Sequence, residues 1–142
     1  MSASSPRLYS AVIKSAERLR QEADSVVIEA AGLTVAQAAL LGVVLNDPDA
    51  TQSDIAVRLE LSEPAVTQMV ARLQREGLIE RTRDESDRRR WRLKVTADGL
   101  AKAERARDAF EAVNARLEKM MGEDIASDVA QRLNTLRLEL KS

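Results

Sequence analysis

The sequence predicts a mainly α chain, with three helices and a two-stranded hairpin in the middle and long amphipathic helices on either side. Three observations lead there. Apolar residues recur at helical spacing through most of the 142 residues. The period changes to two between Leu78 and Val95. Aromatic residues make up only 2% of the chain (Tyr9, Trp91 and Phe110), so the core must be built from Leu, Val, Ile, Ala and Met, which suits helix-on-helix packing.

The elements follow in order. Leu8, Val12, Leu19, Ala23, Val26 and Ala30 describe one face of a long helix over 7–31. Pro6 suits its first turn and Gly32 its stop. A second helix spans 34–46, with Thr34 and Gln37 in a capping-box pattern and Val35, Ala39, Leu40, Val43 and Val44 facing inward. The run Asn46-Asp47-Pro48-Asp49 is a turn. Thr51 caps a short third helix over 52–59, with Asp54 as its partner and Ile55, Ala56 and Leu59 inside.

After the brief turn Glu60-Leu61, Ser62 caps a fourth helix that tolerates Pro64 early and runs to Glu76, where Gly77 stops it. Strands are expected over 78–83 and 90–95, the second with Trp91, Leu93 and Val95 on one face and Arg90, Arg92 and Lys94 on the other. The long loop between them carries Asp84, Glu85, Ser86, Asp87, Arg88 and Arg89. Thr96 caps a long helix to Met121, in which Leu100, Ala103, Phe110, Val113 and Leu117 share a side. Gly99 in its first turn runs against helix propensity and points to close packing. The last helix, over 124–140, carries Ile125, Val129, Leu133, Leu136 and Leu140. The outcome is a winged helix–turn–helix, three helices plus a two-stranded β wing, over 34–96, flanked by segments 1–33 and 97–142. Long apolar stripes without an obvious partner in the chain suggest association between subunits, which would make the flanking segments dimerisation helices; the same stripes also describe a self-contained helical bundle.

Composition narrows the chemistry. The chain has no cysteine and no histidine, which excludes disulfide scaffolds and thiol switches and removes the usual players of transition-metal sites and nucleophile–base pairs. No cofactor, metal site or catalytic group is expected. No apolar run approaches the roughly 20 residues of a spanning helix, and Met1–Pro6 holds no hydrophobic signal core, so a cytoplasmic protein away from the membrane is expected. The net charge is −1, yet Arg81–Lys94 holds seven basic residues against three acidic ones. A basic stripe on an acidic body is a localised electrostatic footprint for nucleic acid.

On a helical wheel the fourth helix turns Val66, Met69, Val70 and Leu73 to one side. Ser62, Pro64, Ala65, Thr67, Gln68, Ala71, Arg72 and Arg75 are left for the other side and its flanks. Such a face offers donors, acceptors and methyl groups to base edges in a major groove, and Ser62 and Thr67 can serve phosphates. The same wheel also describes an ordinary solvated face. The short helix before it and the basic hairpin after it favour the reading role. In the wing, Arg83, Arg88, Arg89 and Arg90 are the candidate contacts, suited to a narrow minor groove. Trp91 could stack on a base or an effector, but its alternation with Leu93 and Val95 favours packing against the helices.

These residues resemble the MarR family of bacterial regulators. The resemblance rests on Ser62 capping a helix with a central Thr67, the closing Leu73, Gly77 and Leu78, the wing residues Asp87, Arg88 and Arg89, and Thr96 with Gly99 after an alternating strand. Val95 stands where the family usually has Leu, and Gln68 where it often has Arg. The resemblance implies a sequence-specific, double-stranded-DNA-binding transcription regulator, by family habit a repressor. It implies a homodimer on a pseudo-palindromic operator, and release by a small-molecule effector, commonly an aromatic acid, bound between the dimer helices and the DNA-binding lobe. It further implies that Arg89 enters the minor groove and that Asp87 braces the wing, with Arg72 as its candidate salt-bridge partner. The rival from another class is a winged-helix protein-interaction module that does not read DNA, against which the basic wing argues. An enzyme is more distant, since Asp84, Glu85 and Asp87 are expected in an exposed loop.

Overall fold

The computed structural model describes residues 5–141. Residues 1–4 and 142, at the outer ends of segments 1–33 and 97–142, lie outside the described residues, as does most of Met1–Pro6. The elements are α1 (Leu8–Ala31), α2 (Val35–Asn46), α3 (Gln52–Leu59), α4 (Glu63–Arg75), β1 (Ile79–Arg83), β2 (Trp91–Val95), α5 (Ala97–Met121) and α6 (Glu123–Glu139). Strand β1 pairs antiparallel with β2, with Ile79 opposite Val95, Arg81 opposite Leu93 and Arg83 opposite Trp91.

Local chemistry sets the helix ends. The Thr34 hydroxyl accepts from the Gln37 N–H at 3.1 Å while Gln37 Oε1 accepts from the Thr34 N–H at 3.0 Å. Thr51 and Asp54 exchange the same pair at 3.1 and 2.9 Å. Each reciprocal pair satisfies two donors that a helix start leaves open. Gln37 is buried, and this bond is what makes its burial tolerable. Gly77 ends the fourth helix at φ +73°, a left-handed conformation that a side chain would strain. Arg7, not Pro6, is the residue before α1, so Pro6 sits ahead of the first turn rather than in it.

The core gathers Val27, Leu33, Leu40, Leu41, Ile55, Val66, Val70, Leu73, Leu78, Ile79 and Leu93 around the middle of the chain. Each large side chain contributes about 1.5–3 kcal/mol by leaving water. Two expectations shift. On α1 the buried positions are Ala23, Val27 and Ala31, one residue on from Val26 and Ala30, and Leu8 and Leu19 are exposed. On α2, Leu41 is fully buried while Val35, Ala39 and Val43 are only half-buried. Helix α2 is apolar nearly all round, so the wheel could not choose its inner face.

The start of α5 is clamped to the turn between α4 and β1. The Thr96 N–H donates to the Leu78 carbonyl at 3.0 Å and its hydroxyl donates to the Gly77 carbonyl at 2.7 Å. A Cβ on Gly99 would lie 2.2 Å from the Leu78 oxygen, closer than any side chain can come. Gly99 is therefore a close-approach glycine, and it fixes the hairpin against the long helix. No single described helix is long and apolar enough to cross a membrane.

Candidate nucleic-acid interface

The turn between α3 and α4 is tight. Glu60 takes a left-handed conformation (φ 55°), and the Leu61 N–H donates back to the Ala56 carbonyl at 3.0 Å. Ser62 then caps α4, its hydroxyl accepting from the Ala65 N–H at 3.2 Å. Val66, Val70 and Leu73 anchor α4 in the core. Pro64, Thr67, Gln68, Ala71, Arg72 and Arg75 are exposed, and Ala65 is half-buried. Ser53 Oγ donates to Glu63 Oε1 at 2.9 Å, and the Thr67 hydroxyl lies 3.2 Å from Gln52 Oε1 and 3.0 Å from the Glu63 carbonyl. The two helices are thus pinned at their N-terminal ends. Gln68 and Arg75 make no side-chain hydrogen bond or ion pair among the described residues.

The wing is held by residues to which sequence reading gave no bracing role. Asp84 is buried, where exposure was expected. Its Oδ1 accepts from the Ser86 N–H at 2.9 Å and the Ser86 hydroxyl at 2.7 Å, and its Oδ2 accepts from Arg92 Nε at 3.1 Å. The Ser86 hydroxyl and N–H, then the Arg92 guanidinium, hold its carboxyl well below the usual carboxylate range. Arg92 also pairs with Asp49 at 2.9 Å, and Arg90 donates to the Asp49 carbonyl at 2.8 Å. The wing root is therefore tied to the turn after α2. The pattern Asp84-x-Ser86 is a local turn signal that could have been read; the reach to Asp49 has none.

The hydrogen bonds of Asp87 stay within its own loop. Its Oδ1 accepts from the Arg89 N–H at 3.0 Å and its carbonyl from the Arg90 N–H at 3.0 Å. The expected partner Arg72 instead pairs with Glu76 at 3.3 Å, one helical turn along α4. Of the four wing arginines, Arg83 donates to the Arg88 carbonyl at 2.7 Å and Arg90 folds back onto Asp49. The Arg88 and Arg89 side chains have no partner among the described residues. Trp91, for which packing against the helices was expected, lies at the outer end of β2 opposite Arg83. It remains 38% exposed, with the guanidiniums of Arg81 and Arg83 over its ring at 4.3 and 4.7 Å.

Two further features lie away from the reading face. Arg137 and Lys141, at the end of α6, both pair with Glu60 in the helix–turn–helix turn, and the Lys141 hydrogen bond leads in holding the Glu60 carboxyl below its ordinary value. A cavity of about 560 Å³ opens between α1, α2 and α5. Gly42, Leu45 and Phe110 make part of its apolar lining, with Asn46, Glu104 and Arg107 as its polar groups.

This architecture, a helix–turn–helix with a capped second helix, followed by a two-stranded basic wing and long flanking helices, is a winged helix–turn–helix. A profile of the MarR family matches residues 31–90. The HTH-type transcriptional repressor MdtR of Bacillus subtilis (strain 168) is 34% identical over 97 residues, 68% of this chain and 63% of the relative. A curated relative from Thauera aromatica is 35% identical over 78 residues, 53% of this chain. The matched stretches span 47% and 63% of those two relatives' lengths. Among solved structures, the transcriptional repressor CouR bound to a 23-mer DNA duplex superposes with a TM-score of 0.84 at 28% identity, covering 92% of both chains. The MepR–DNA complex of S. aureus shares the fold at a TM-score of 0.84 and 23% identity, over 95% of this chain and 99% of that one. Over residues 31–90 the chain is similar to the MarR family.

Proposed function

We propose that the protein is a sequence-specific regulator of transcription, a repressor that binds double-stranded DNA as a homodimer on a pseudo-palindromic operator and acts by binding rather than catalysis. One observation carries this reading. Gln68 and Arg75 on α4, and Arg88 and Arg89 at the wing, are polar groups left without internal partners on backbone that caps and braces hold in place. Pre-ordered donors lose little freedom on binding. Gln68 suits the edge of adenine and Arg75 that of guanine, while Arg89 suits a narrow minor groove. A protein partner would not call for unpaired arginines beside an exposed cationic strand.

The division of labour follows the chain. Segment 34–96 reads DNA, and segments 1–33 and 97–142 join two copies. Leu8, Tyr9 and Ile13 of α1, Ile125 and Leu136 of α6 and Leu140 just after it are exposed in the single chain, an apolar surface that a second copy would cover. The cavity between α1, α2 and α5 lies where those segments meet the reading lobe, and it suits a small, largely apolar effector. An effector there would change lobe spacing and so the fraction of dimers that match both half-sites. The place of action is the cytoplasm.

Footprinting on the DNA that flanks the gene tests the reading. A protected palindrome with half-sites about one helical turn apart is expected, with affinity falling steeply as salt rises. Equal affinity for random DNA at moderate salt would sink it.

A further inference from the structure

Trp91 sits where the hairpin leaves the body of the protein. One face of the hairpin begins in the core with Ile79, Leu93 and Val95 and runs outward to Arg81, Arg83 and Trp91. At its outer end Trp91 is 38% exposed and carries the two guanidiniums over its ring. Arg83, directly opposite Trp91 in the ladder, sends its Nη1 to the Arg88 carbonyl at 2.7 Å. Ring, guanidinium and loop carbonyl thus form a continuous chain that ends one residue before Arg89.

We propose that Trp91 is a positioning residue for the wing: by holding Arg83 against its ring, it fixes the Arg88 carbonyl and so the direction in which Arg88 and Arg89 leave the loop. This rests on the DNA-binding reading above. The physical reason is entropy and charge together. A free arginine has many rotamers of similar energy, and a ring face selects among them by attracting the cation. The hairpin also crowds Arg81, Arg83, Arg88, Arg89, Arg90 and Arg92, whose mutual repulsion favours a splayed loop. A loop ordered before DNA arrives binds more tightly than one ordered by DNA.

Trp91 is the single tryptophan of the chain, so its emission reports on this stack without a label. Arg83→Gln should shift the emission of the free protein, and an unchanged spectrum would overturn the stack independently of DNA. Trp91→Ala should weaken operator binding roughly tenfold, the loss expected from two exposed cation–π contacts. The lost protection should be confined to the flanks of the footprint, with the melting temperature nearly unchanged. Trp91→Phe, which keeps a ring, should recover most of the affinity. Wild-type affinity in Trp91→Ala, no recovery in Trp91→Phe, or loss of central and flanking protection alike would each overturn the proposal. Failure of the wild type to select any site overturns the DNA-binding reading and this proposal with it. Selection by the wild type with Trp91→Ala unaffected overturns this proposal alone.

Discussion

Arg92 Nε donates to Asp84 Oδ2 at 3.1 Å, and this pair closes the base of the wing. Asp84 is buried, and its other oxygen accepts twice from Ser86, so three of the carboxylate's roughly four acceptor sites are used. Removing it leaves Arg92 with Asp49 alone and Ser86 without an acceptor. Asp84→Ala is expected to weaken operator binding about tenfold, the scale of losing a charge-assisted hydrogen bond. Fluorescence anisotropy with a labelled operator measures this. Equal affinity would show that the wing keeps its geometry without the brace.

The same group predicts the response to pH. The Asp84 carboxyl is held well below the ordinary carboxylate range, chiefly by the Ser86 hydroxyl. A depressed folded-state pKa gives a contribution that is fully present above the unfolded value of about 3.9 and is lost only as pH falls through the lower folded value. Glu60 behaves in the same direction. With no histidine in the chain, operator affinity should be flat between roughly pH 5 and 8. A transition in that window would require a titrating group other than these.

Gly99→Ala places a methyl group 2.2 Å from a backbone oxygen that cannot swing aside. Overpacking of this kind costs about 1–3 kcal/mol or more. Thermal unfolding at fixed protein concentration should show a clear drop in melting temperature. Wild-type stability would mean that α5 shifts freely on Leu78.

Gln68→Ala and Arg89→Ala should separate two kinds of reading. Loss of Gln68 is expected to cost about 1–3 kcal/mol on the preferred site and to relax selection at a single base pair. Loss of Arg89 should cost a similar amount but act at the flanking minor-groove positions. Selection from a randomised operator library distinguishes them. Identical losses on every sequence would reduce both residues to phosphate contacts.

Gly42 lines the cavity from α2, and a Cβ there meets nothing within 4 Å. Gly42→Ala should therefore stabilise the helix by about 0.5–1 kcal/mol. Gly42→Leu should fill part of the cavity and blunt release by any effector while operator binding persists. Calorimetry and anisotropy read the two effects. An undiminished effector response in Gly42→Leu would place the effector elsewhere.

The sequence by itself determined which stretches are helix and which are hairpin, because caps, glycine stops and apolar period act over a few residues. Thr34 with Gln37, Thr51 with Asp54, and Gly77 all work within one turn. It also marked the exposed face of α4 and the wing cations Arg88 and Arg89. Tertiary structure decided what those short-range signals leave open. A wheel shows that α1 has an apolar stripe but not that packing on α5 covers Ala23, Val27 and Ala31 and leaves Leu8 and Leu19 bare. Nor could it show that Arg72 turns to Glu76, that Arg90 crosses to Asp49, or that Arg83 lies over the Trp91 ring. Those pairings depend on strand register and on where distant turns arrive, and an arginine is long enough to satisfy several of them equally well. The fold brings one partner within reach, and that choice separates the arginines that hold the wing from those left without a partner among the described residues.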